Sequence, residues 1–200
     1  MGKVDENKKK KKEALITTAY DLFTTKGINA TSISDIVKKA GVAKGTFYLY
    51  FKDKYDIKDK LIAHKTRELF DNAKIAMEQS QVTGLEEQLI FIIEHITNIL
   101  ANNRPLLNLI SKNLVMGALQ SALLPAEESE SFYESFLNLV KEDPYEYQDV
   151  EIMLFTIIEL AGSTCYNAIL YKEPVPLEQY KPYLYRSVRL IIRSHRVESE

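Results

Sequence analysis

The stretch that decides the fold lies between residues 31 and 51 and reads Thr31-Ser-Ile-Ser-Asp-Ile-Val-Lys-Lys-Ala-Gly-Val-Ala-Lys-Gly-Thr-Phe-Tyr-Leu-Tyr-Phe51. Its first half carries apolar residues at the spacing of one helix face, and Ser32 with Asp35 forms the pattern of a capping box. Gly41 suits the left-handed backbone that ends such a helix. A second short helix, about Lys44 to Phe51, begins three residues later. Two short helices around a tight turn predict a helix-turn-helix.

The second of these helices offers side chains suited to reading double-stranded DNA. Phe47 and Phe51 lie one turn apart and are predicted to face inward as anchors. The remaining positions offer a close backbone approach, a hydroxyl with a methyl group, phenolic donors and positive charge. The predicted DNA contacts are Lys44, Gly45, Thr46, Tyr48, Tyr50 and Lys54. The alternative for the two tyrosines is a packing role at a half-buried position.

Residues 10–60 resemble the DNA-binding domain of the TetR family of bacterial repressors. The resemblance follows the serine-capped helix at 32–36 and is carried by Ala40-Gly41-Val42-Ala43, Lys44-Gly45-Thr46-Phe47-Tyr48 and Tyr50-Phe51-Lys52-Asp53-Lys54. The sequence departs from the family pattern at Tyr50, where His is commonest, and at Tyr55, where Glu is frequent. Ser34 stands where family members often place a base-contacting side chain, so the resemblance adds it to the predicted DNA contacts.

The resemblance also implies a function for the whole chain. It implies a ligand-responsive repressor that binds a palindromic operator as a homodimer. It further implies a helical body that binds a small-molecule effector and dimerises through its last two helices.

The periodicity of the remaining sequence predicts an all-α fold of about nine helices. An N-terminal three-helix DNA-binding domain over residues 1–55 precedes a ligand-binding and dimerisation domain over residues 56–200. The expected helices cover about 10–26, 32–40, 44–51, 54–77, 85–102, 105–121, 127–141, 143–171 and 177–195. The longest of them, starting at Asp143-Pro144, is expected to form the dimer together with the final helix.

The net charge of −2 conceals an asymmetry along the chain. Residues 1–60 hold 14 Lys, no Arg and 8 acidic residues, a net charge of +6, whereas the remaining 140 residues hold 12 basic and 20 acidic residues, a net charge of −8. A basic head on an acidic body is typical of a polyanion-binding head. For the run Lys8–Lys12 itself, a solvated tail is the alternative.

The composition indicates the cellular compartment and excludes some kinds of site. Cys165 is alone, which excludes an internal disulfide and a cysteine metal cluster and favours a reducing compartment. The first residues lack the apolar segment of a signal peptide, and the longest apolar runs are short for a bilayer. We therefore expect a cytoplasmic protein with no cofactor and no membrane partner.

Polar residues set among apolar ones in the body are the candidates for an effector pocket. They are His95, Asn113, Tyr133, Glu159 and Tyr166. A Glu159 that faced the interior would need a partner, so we expect a mostly apolar ligand, cationic if Glu159 and nearby tyrosines line the site. The alternative for each residue is a helix surface or a satisfied core hydrogen bond. Cys165 is either a small core residue or a sensor.

The dimer interface is expected around a small-residue patch at 161–164 and along the final helix. The residues predicted to form it are Gly162, Leu184, Val188 and Ile191.

Two other classes of function fit this sequence less well. An enzyme is disfavoured because the three histidines show no metal-ligand spacing, and no nucleophile elbow, P-loop or dinucleotide fingerprint is present. A helical interaction protein with a degenerate head would have lost the segment Lys44–Tyr48, which is intact.

Overall fold

The computed structural model describes residues 3–110 and 132–197, with side chains from residue 5 onward. Two compact units emerge, Met1–His64 and Lys65–Glu200. They are called the head and the body below. The boundary at 55/56 that the sequence predicts for the functional domains stays a prediction.

The described ranges are helical apart from turns and one isolated backbone bridge. The helices are α1 Lys3–Thr25, α2 Ile33–Ala40, α3 Lys44–Tyr48, α4 Lys54–Glu78, α5 Leu85–Ala101, α6 Arg104–Ile110, α7 Phe132–Glu142, α8 Val150–Leu170 and α9 Leu177–Ser194. The all-α prediction is confirmed.

Local signals in the head act as the sequence indicates. The Ser32 hydroxyl accepts a hydrogen bond from the Asp35 N–H (3.1 Å), and the Asp35 carboxylate accepts one from the Ser32 N–H (2.9 Å). This capping box satisfies amide groups that the first turn of α2 leaves without helical partners. Gly41 ends α2 at φ 69°, a left-handed conformation that glycine adopts without strain. The chain is thereby turned sharply into α3.

Buried side chains in the core of the head anchor α3. Phe47 and Phe51 are 0% and 2% exposed, so both predicted anchors are confirmed. The other three helices of the head contribute further fully buried side chains, namely Leu15, Ala19, Ile36, Ile57 and Leu61. Because α3 has only five residues, this burial rather than helix propensity holds it in place.

The body is built around the helix pair α8 and α9, which pack on each other and on α5. Its centre contains Leu85, Ile110, Phe136, Met153, Leu184, Val188 and Ile192, each at most 1% exposed. By length and composition alone α8 could cross a membrane, and 39% of its most apolar window is buried here. A core helix passes the same test, and the expectation of no membrane partner stays a prediction.

The sequence placed the start of the long helix at Asp143-Pro144, which is wrong, because α8 begins at Val150. Residues 146–148 instead bond to the end of the chain: Val197 N–H donates to the Glu146 carbonyl and Gln148 N–H to the His195 carbonyl, both at 2.9 Å. Asp143 is also engaged elsewhere, as its carboxylate accepts from the Leu85 N–H at 2.9 Å. These distant partners keep residues 143–149 out of the helix.

Candidate DNA-binding surface and body cavities

The exposed face of α3 collects most of the predicted DNA contacts. Lys44, Gly45 and Tyr48 are exposed, and Thr46 is half-buried. Tyr48 has 54% of its surface accessible. Its ring makes a T-shaped contact with the ring of Phe47, with the two centroids 5.5 Å apart. Tyr48 therefore both packs against Phe47 and leaves more than half of its surface exposed. These side chains form one outward surface, called here the α3 surface.

Leu49 belongs to the same surface, and the sequence analysis missed it. Its side chain is 78% exposed, which makes it the most exposed large apolar residue in the described part of the chain. It follows Tyr48 and lies out of phase with the buried anchors. That phase was the available signal, since a leucine between two inward-facing aromatics must point outward. An exposed apolar side chain here can touch a thymine methyl group.

Gly45 is not required by the fold. Its backbone is not left-handed, and a Cβ added at this position would meet no atom within 4 Å. Glycine inside a helix costs roughly 0.5–1 kcal/mol relative to alanine. The folded chain thus bears a cost at Gly45 without an internal reason, and close approach by another molecule supplies one.

Lys54 lies outside the α3 surface. Its ammonium donates to the carbonyls of Ile28 (3.0 Å), Asn29 (3.4 Å) and Thr31 (3.2 Å), in the turn between α1 and α2. An ammonium has three donors, so these contacts account for all of them. Lys54 therefore braces this turn, and its predicted DNA contact stays a prediction.

Ser34 and Tyr50 flank the α3 surface. Ser34 is exposed on α2, and Tyr50 is half-buried just after α3. The Tyr50 hydroxyl donates to the backbone carbonyl of Lys8 at 3.2 Å, which leaves its lone pairs but not its proton for a further partner. The lysine run 8–12 is part of α1 and is exposed throughout. It is helical here, which differs from the tail that was the alternative.

Comparison with known proteins agrees with this geometry. Residues 15–60 match the family model of bacterial regulatory proteins, tetR family. The matched range contains all of α2 and α3 and the Lys54 brace. Residues 15–60 are therefore similar to the DNA-binding domain of the TetR family.

A curated relative, the uncharacterised HTH-type transcriptional regulator YvdT of Bacillus subtilis, is 54% identical over 44 residues, which are 22% of this chain and 23% of that protein. The chain thus spans about a quarter of the length of this relative. Across the curated relatives the matched part ranges from 15% to 51% of their length.

Solved structures carry the likeness across nearly the whole fold. A TetR-family regulator of Syntrophomonas wolfei has a TM-score of 0.66 at 21% identity, covering 92% of this chain and 96% of that chain. FadR of Bacillus subtilis, solved in complex with stearoyl-CoA, has a TM-score of 0.58 at 21% identity, covering 90% and 97%. At these identities the likeness shows the fold: an N-terminal helix-turn-helix domain and a helical body.

The body contains a cavity of about 350 Å³ between α4, α5 and α7. This size falls within the range of small-molecule sites. Its described wall is mixed in character and includes three carboxylates and one ammonium. These charged residues are Asp71, Lys74, Glu78 and Glu142. The space is called here the polar cavity.

A second cavity, of about 60 Å³, adjoins the first and is called here the apolar cavity. Its described wall is almost wholly aliphatic and aromatic, with Thr97, Cys165 and Tyr166 as exceptions. Phe70, Ile92 and Phe132 line both cavities and so form the partition between them. The rings of Phe70 and Phe132 stack with centroids 3.6 Å apart.

Within the described residues, one of the five predicted effector-binding residues lines a cavity wall. Tyr166 lines the apolar cavity. His95 is half-buried on α5 and stacks on Phe91 at 6.2 Å, and the Tyr133 hydroxyl donates to Glu151 at 2.8 Å. Asn113 lies outside the described residues.

Glu159 needs a correction, because it is exposed on α8 rather than turned inward. The reasoning that a buried Glu159 requires a cationic partner therefore does not apply. Its apolar neighbours Ile157, Ile158 and Leu160 suggested burial, but α8 has an exposed apolar face, and the glutamate lies on the exposed side with Phe155.

Cys165 fits the core alternative. It is buried against the apolar cavity, and burial raises the pKa of its thiol to about 12. The thiol is therefore neutral at physiological pH, and a neutral thiol is a poor nucleophile. Within residues 3–110 and 132–197, no three His, Cys, Asp or Glu side chains are grouped to hold a metal ion.

The predicted dimer residues divide into two groups. Leu184 and Val188 are fully buried inside the body's own core, so they are unavailable to a partner in this structure. Gly162 and Ile191 are half-buried. The outward face of the same two helices carries large apolar residues that are more than half exposed. They are Ile152 (59% exposed), Phe155 (53%), Tyr183 (58%) and Leu190 (60%).

Proposed function

We propose that this chain is a DNA-binding transcriptional regulator, a ligand-responsive repressor that acts in the cytoplasm as a homodimer on a palindromic operator. The observation that carries the proposal is the α3 surface. A five-residue helix is anchored by two buried phenylalanines and presents outward a glycine that the fold does not require, an exposed tyrosine and, just after the helix, an exposed leucine. Packing within the head explains none of these three features, whereas insertion into a major groove explains all of them.

The homodimer is supported by the outward faces of α8 and α9. Ile152 and Phe155 lie one turn apart on α8, and Tyr183 and Leu190 lie on one face of α9. Large exposed apolar residues gathered on two helices mark an interaction surface. A two-fold dimer pairs each patch with its own copy, and two heads then read two half-sites about one helical turn or slightly more apart.

A response to a ligand is supported by the polar and apolar cavities. The related fold of FadR was solved with stearoyl-CoA. Here the described wall of the polar cavity carries more negative than positive charge, which disfavours the anionic end of an acyl-CoA. Repression is released when the effector binds the DNA-incompetent state more tightly, and by reciprocity DNA then weakens effector binding by the same factor. The proposal assigns no catalytic step to the chain.

The test is selection of binding sites from a random double-stranded library with the full-length protein, followed by titration of the recovered site. We expect a near-palindrome and an affinity that falls steeply with salt, because lysine contacts to phosphate release counterions. Tyr48→Ala should weaken specific binding by roughly five- to 150-fold if Tyr48 contacts a base, the equivalent of 1–3 kcal/mol. Tyr48→Phe separates the hydroxyl from the ring.

Two results would oppose the proposal. Recovery of no enriched sequence would remove sequence-specific recognition. Unchanged operator affinity in both Tyr48→Ala and Leu49→Ala would show that the α3 surface does not touch DNA.

A further inference from the structure

We propose that the two body cavities form one site for an amphipathic organic cation, with the charged end in the polar cavity and an alkyl or aryl end directed past Phe70 and Phe132 into the apolar cavity. This inference rests on the proposed ligand-responsive function and names the chemical class of the effector. Its first basis is adjacency: three side chains line both spaces, so a single molecule can reach both.

The charge of the polar cavity sets the sign of the ligand's head. Lys74 is already engaged, because its ammonium bonds the Ser135 hydroxyl at 3.0 Å and lies 4.0 Å from the Glu78 carboxylate. Asp71 and Glu142 remain as further carboxylates on the described wall. A net negative wall attracts a cation and repels an anion of the same shape.

Asp71 is the carboxylate with the strongest reason to accept a cation. It is half-buried, and in the described part of the chain no hydrogen bond or ion pair satisfies its carboxylate. Burial raises its pKa, although Arg67 and Lys74 on the same helix act to lower it. A partly buried carboxylate is stabilised by an added positive charge in the space it lines.

The apolar part of the site sets the character of the ligand's other end. The polar cavity itself has Phe70, Met77, Ile92 and Phe132 in its wall, and aromatic faces bind ammonium groups as well as alkyl chains. The adjoining apolar cavity is small, so it accepts only the end of a chain while the Phe70–Phe132 stack is closed. We therefore expect affinity to rise with chain length and then to level off.

The probes are alkyltrimethylammonium ions from methyl to decyl, with decanoate and decyl sulfate as anions of matched tail, titrated into the full-length protein by calorimetry below their micellar concentrations. We expect saturable binding of one cation per protomer, with affinity rising roughly four-fold per methylene over part of the series. Decyltrimethylammonium should bind at least ten-fold more tightly than either anion.

Variants assign the binding to this site. Asp71→Asn combined with Glu142→Gln should lower the affinity for decyltrimethylammonium by about ten-fold. It should also reduce the ratio of cation affinity to anion affinity. Glu146→Gln is the matched control, because Glu146 is an exposed carboxylate of the body outside both cavity walls. Phe132→Ala should move the plateau to longer chains, since it opens the partition.

The inference is overturned if anion and cation bind equally, if tetramethylammonium binds as well as the decyl ion, or if binding never saturates. Its failure is separable from failure of the proposed function. The variant Tyr48→Ala should lose operator affinity and keep cation binding, so a protein that reads DNA yet binds no cation refutes only this inference.

Discussion

At the scale of single residues, Gly45 is a position where the fold does not require glycine but DNA binding is expected to. The structure leaves open space around its Cα, and its backbone conformation suits any residue. We predict that Gly45→Ala raises the unfolding free energy by roughly 0.5–1 kcal/mol, because alanine loses less entropy in a helix. Operator affinity should fall, because the added methyl lies on the α3 surface. Denaturant unfolding and a mobility-shift titration measure the two effects.

Gly27→Ala is the control for this substitution. Gly27 also has open space around it, but its φ of +81° is left-handed, where alanine is strained. This variant should therefore lose stability by about 1 kcal/mol. If Gly45→Ala were as destabilising as Gly27→Ala, the glycine at 45 would be structural after all.

Two lysines of the head should respond in opposite ways to the same change. Lys44 is exposed, whereas the Lys54 ammonium bonds three carbonyls of the turn between α1 and α2. Lys44→Met should flatten the dependence of log affinity on log salt by about one unit without changing stability, as expected for the loss of one phosphate contact. Lys54→Met should instead lower the melting temperature, because it leaves carbonyl groups without partners.

Salt titrations of operator binding and thermal melts, run on both variants, decide the matter. A Lys54→Met protein that melted like wild type but showed a flatter salt slope would restore the DNA contact that the sequence predicted for Lys54.

The sequence could not have placed Lys54, because its partners lie 23 to 26 residues away. What the sequence could place were groups whose partners are local: the Ser32–Asp35 capping box and the left-handed Gly41 are both present as predicted. Glu159 is a second example of a side chain whose environment could not be predicted from local sequence. A glutamate within an apolar run faces either the core or a second surface, and periodicity alone does not distinguish them.

At the scale of elements, the start of α5 depends on a residue 58 positions away. Gly84 precedes α5 and offers no side-chain cap, and the Leu85 N–H donates to the Asp143 carboxylate instead. Asp143 also accepts from the Tyr147 hydroxyl at 2.9 Å. This remote cap explains why the segment after Asp143 is not helical, and why a Pro that follows an Asp was misread as a helix start.

The cap makes a prediction about acid stability. Burial acts to raise the pKa of Asp143, but hydrogen bonds from the Leu85 and Tyr145 N–H groups and from Tyr147 outweigh it and hold the pKa below the usual 3.8. A carboxyl with a depressed folded pKa stabilises the protein above its unfolded pKa and loses that contribution as pH falls through the folded value. Asp143→Ala should therefore destabilise the body by about 1 kcal/mol at neutral pH.

The difference in unfolding free energy between wild type and Asp143→Ala should shrink as pH falls below 3.8. Urea unfolding at a series of pH values from 7 to 3 measures it. Glu146→Ala, an exposed acid in the same segment, is the comparison and should show no such trend. A constant difference across the whole range would mean that Asp143 acts through packing rather than charge.

Most helices were predictable because hydrophobic period and breaker residues are local signals. The start of α5 at Leu85 and of α9 at Leu177 agree with the sequence. The end of α3 was misplaced: the helix stops at Tyr48, and the Tyr50 and Phe51 N–H groups both donate to the Phe47 carbonyl in the turn that follows. The sequence predicted that α8 and α9 form the dimer but not which of their apolar residues are exposed, because one chain's sequence does not separate residues buried by itself from residues buried by a copy.

At the scale of the whole molecule, the head and the body differ in net charge and in exposed apolar surface. The first 60 residues carry a net charge of +6 and the rest −8. In the proposed function, the phosphates of DNA attract the positive head and repel the negative body. The negative body also raises the local concentration of cations around the polar cavity, in agreement with the sign inferred for its ligand.

The exposed faces of α8 and α9 lead to the last prediction. Phe155 on α8 and Leu190 on α9 are more than half exposed, and in the proposed four-helix interface both become buried. Phe155→Glu with Leu190→Glu places four charges in the dimer, and an unpaired buried charge is strongly unfavourable. The double variant should be a folded monomer at micromolar concentration by light scattering. It should bind one half-site weakly and lose most of the operator affinity, since two heads are no longer linked. Ile75→Glu is the matched control, because Ile75 on α4 is 53% exposed and lies outside both helices. It should remain a dimer with full operator affinity. A wild-type monomer, or a double variant that still dimerised, would place the interface on another face and remove the structural reason for a palindromic operator.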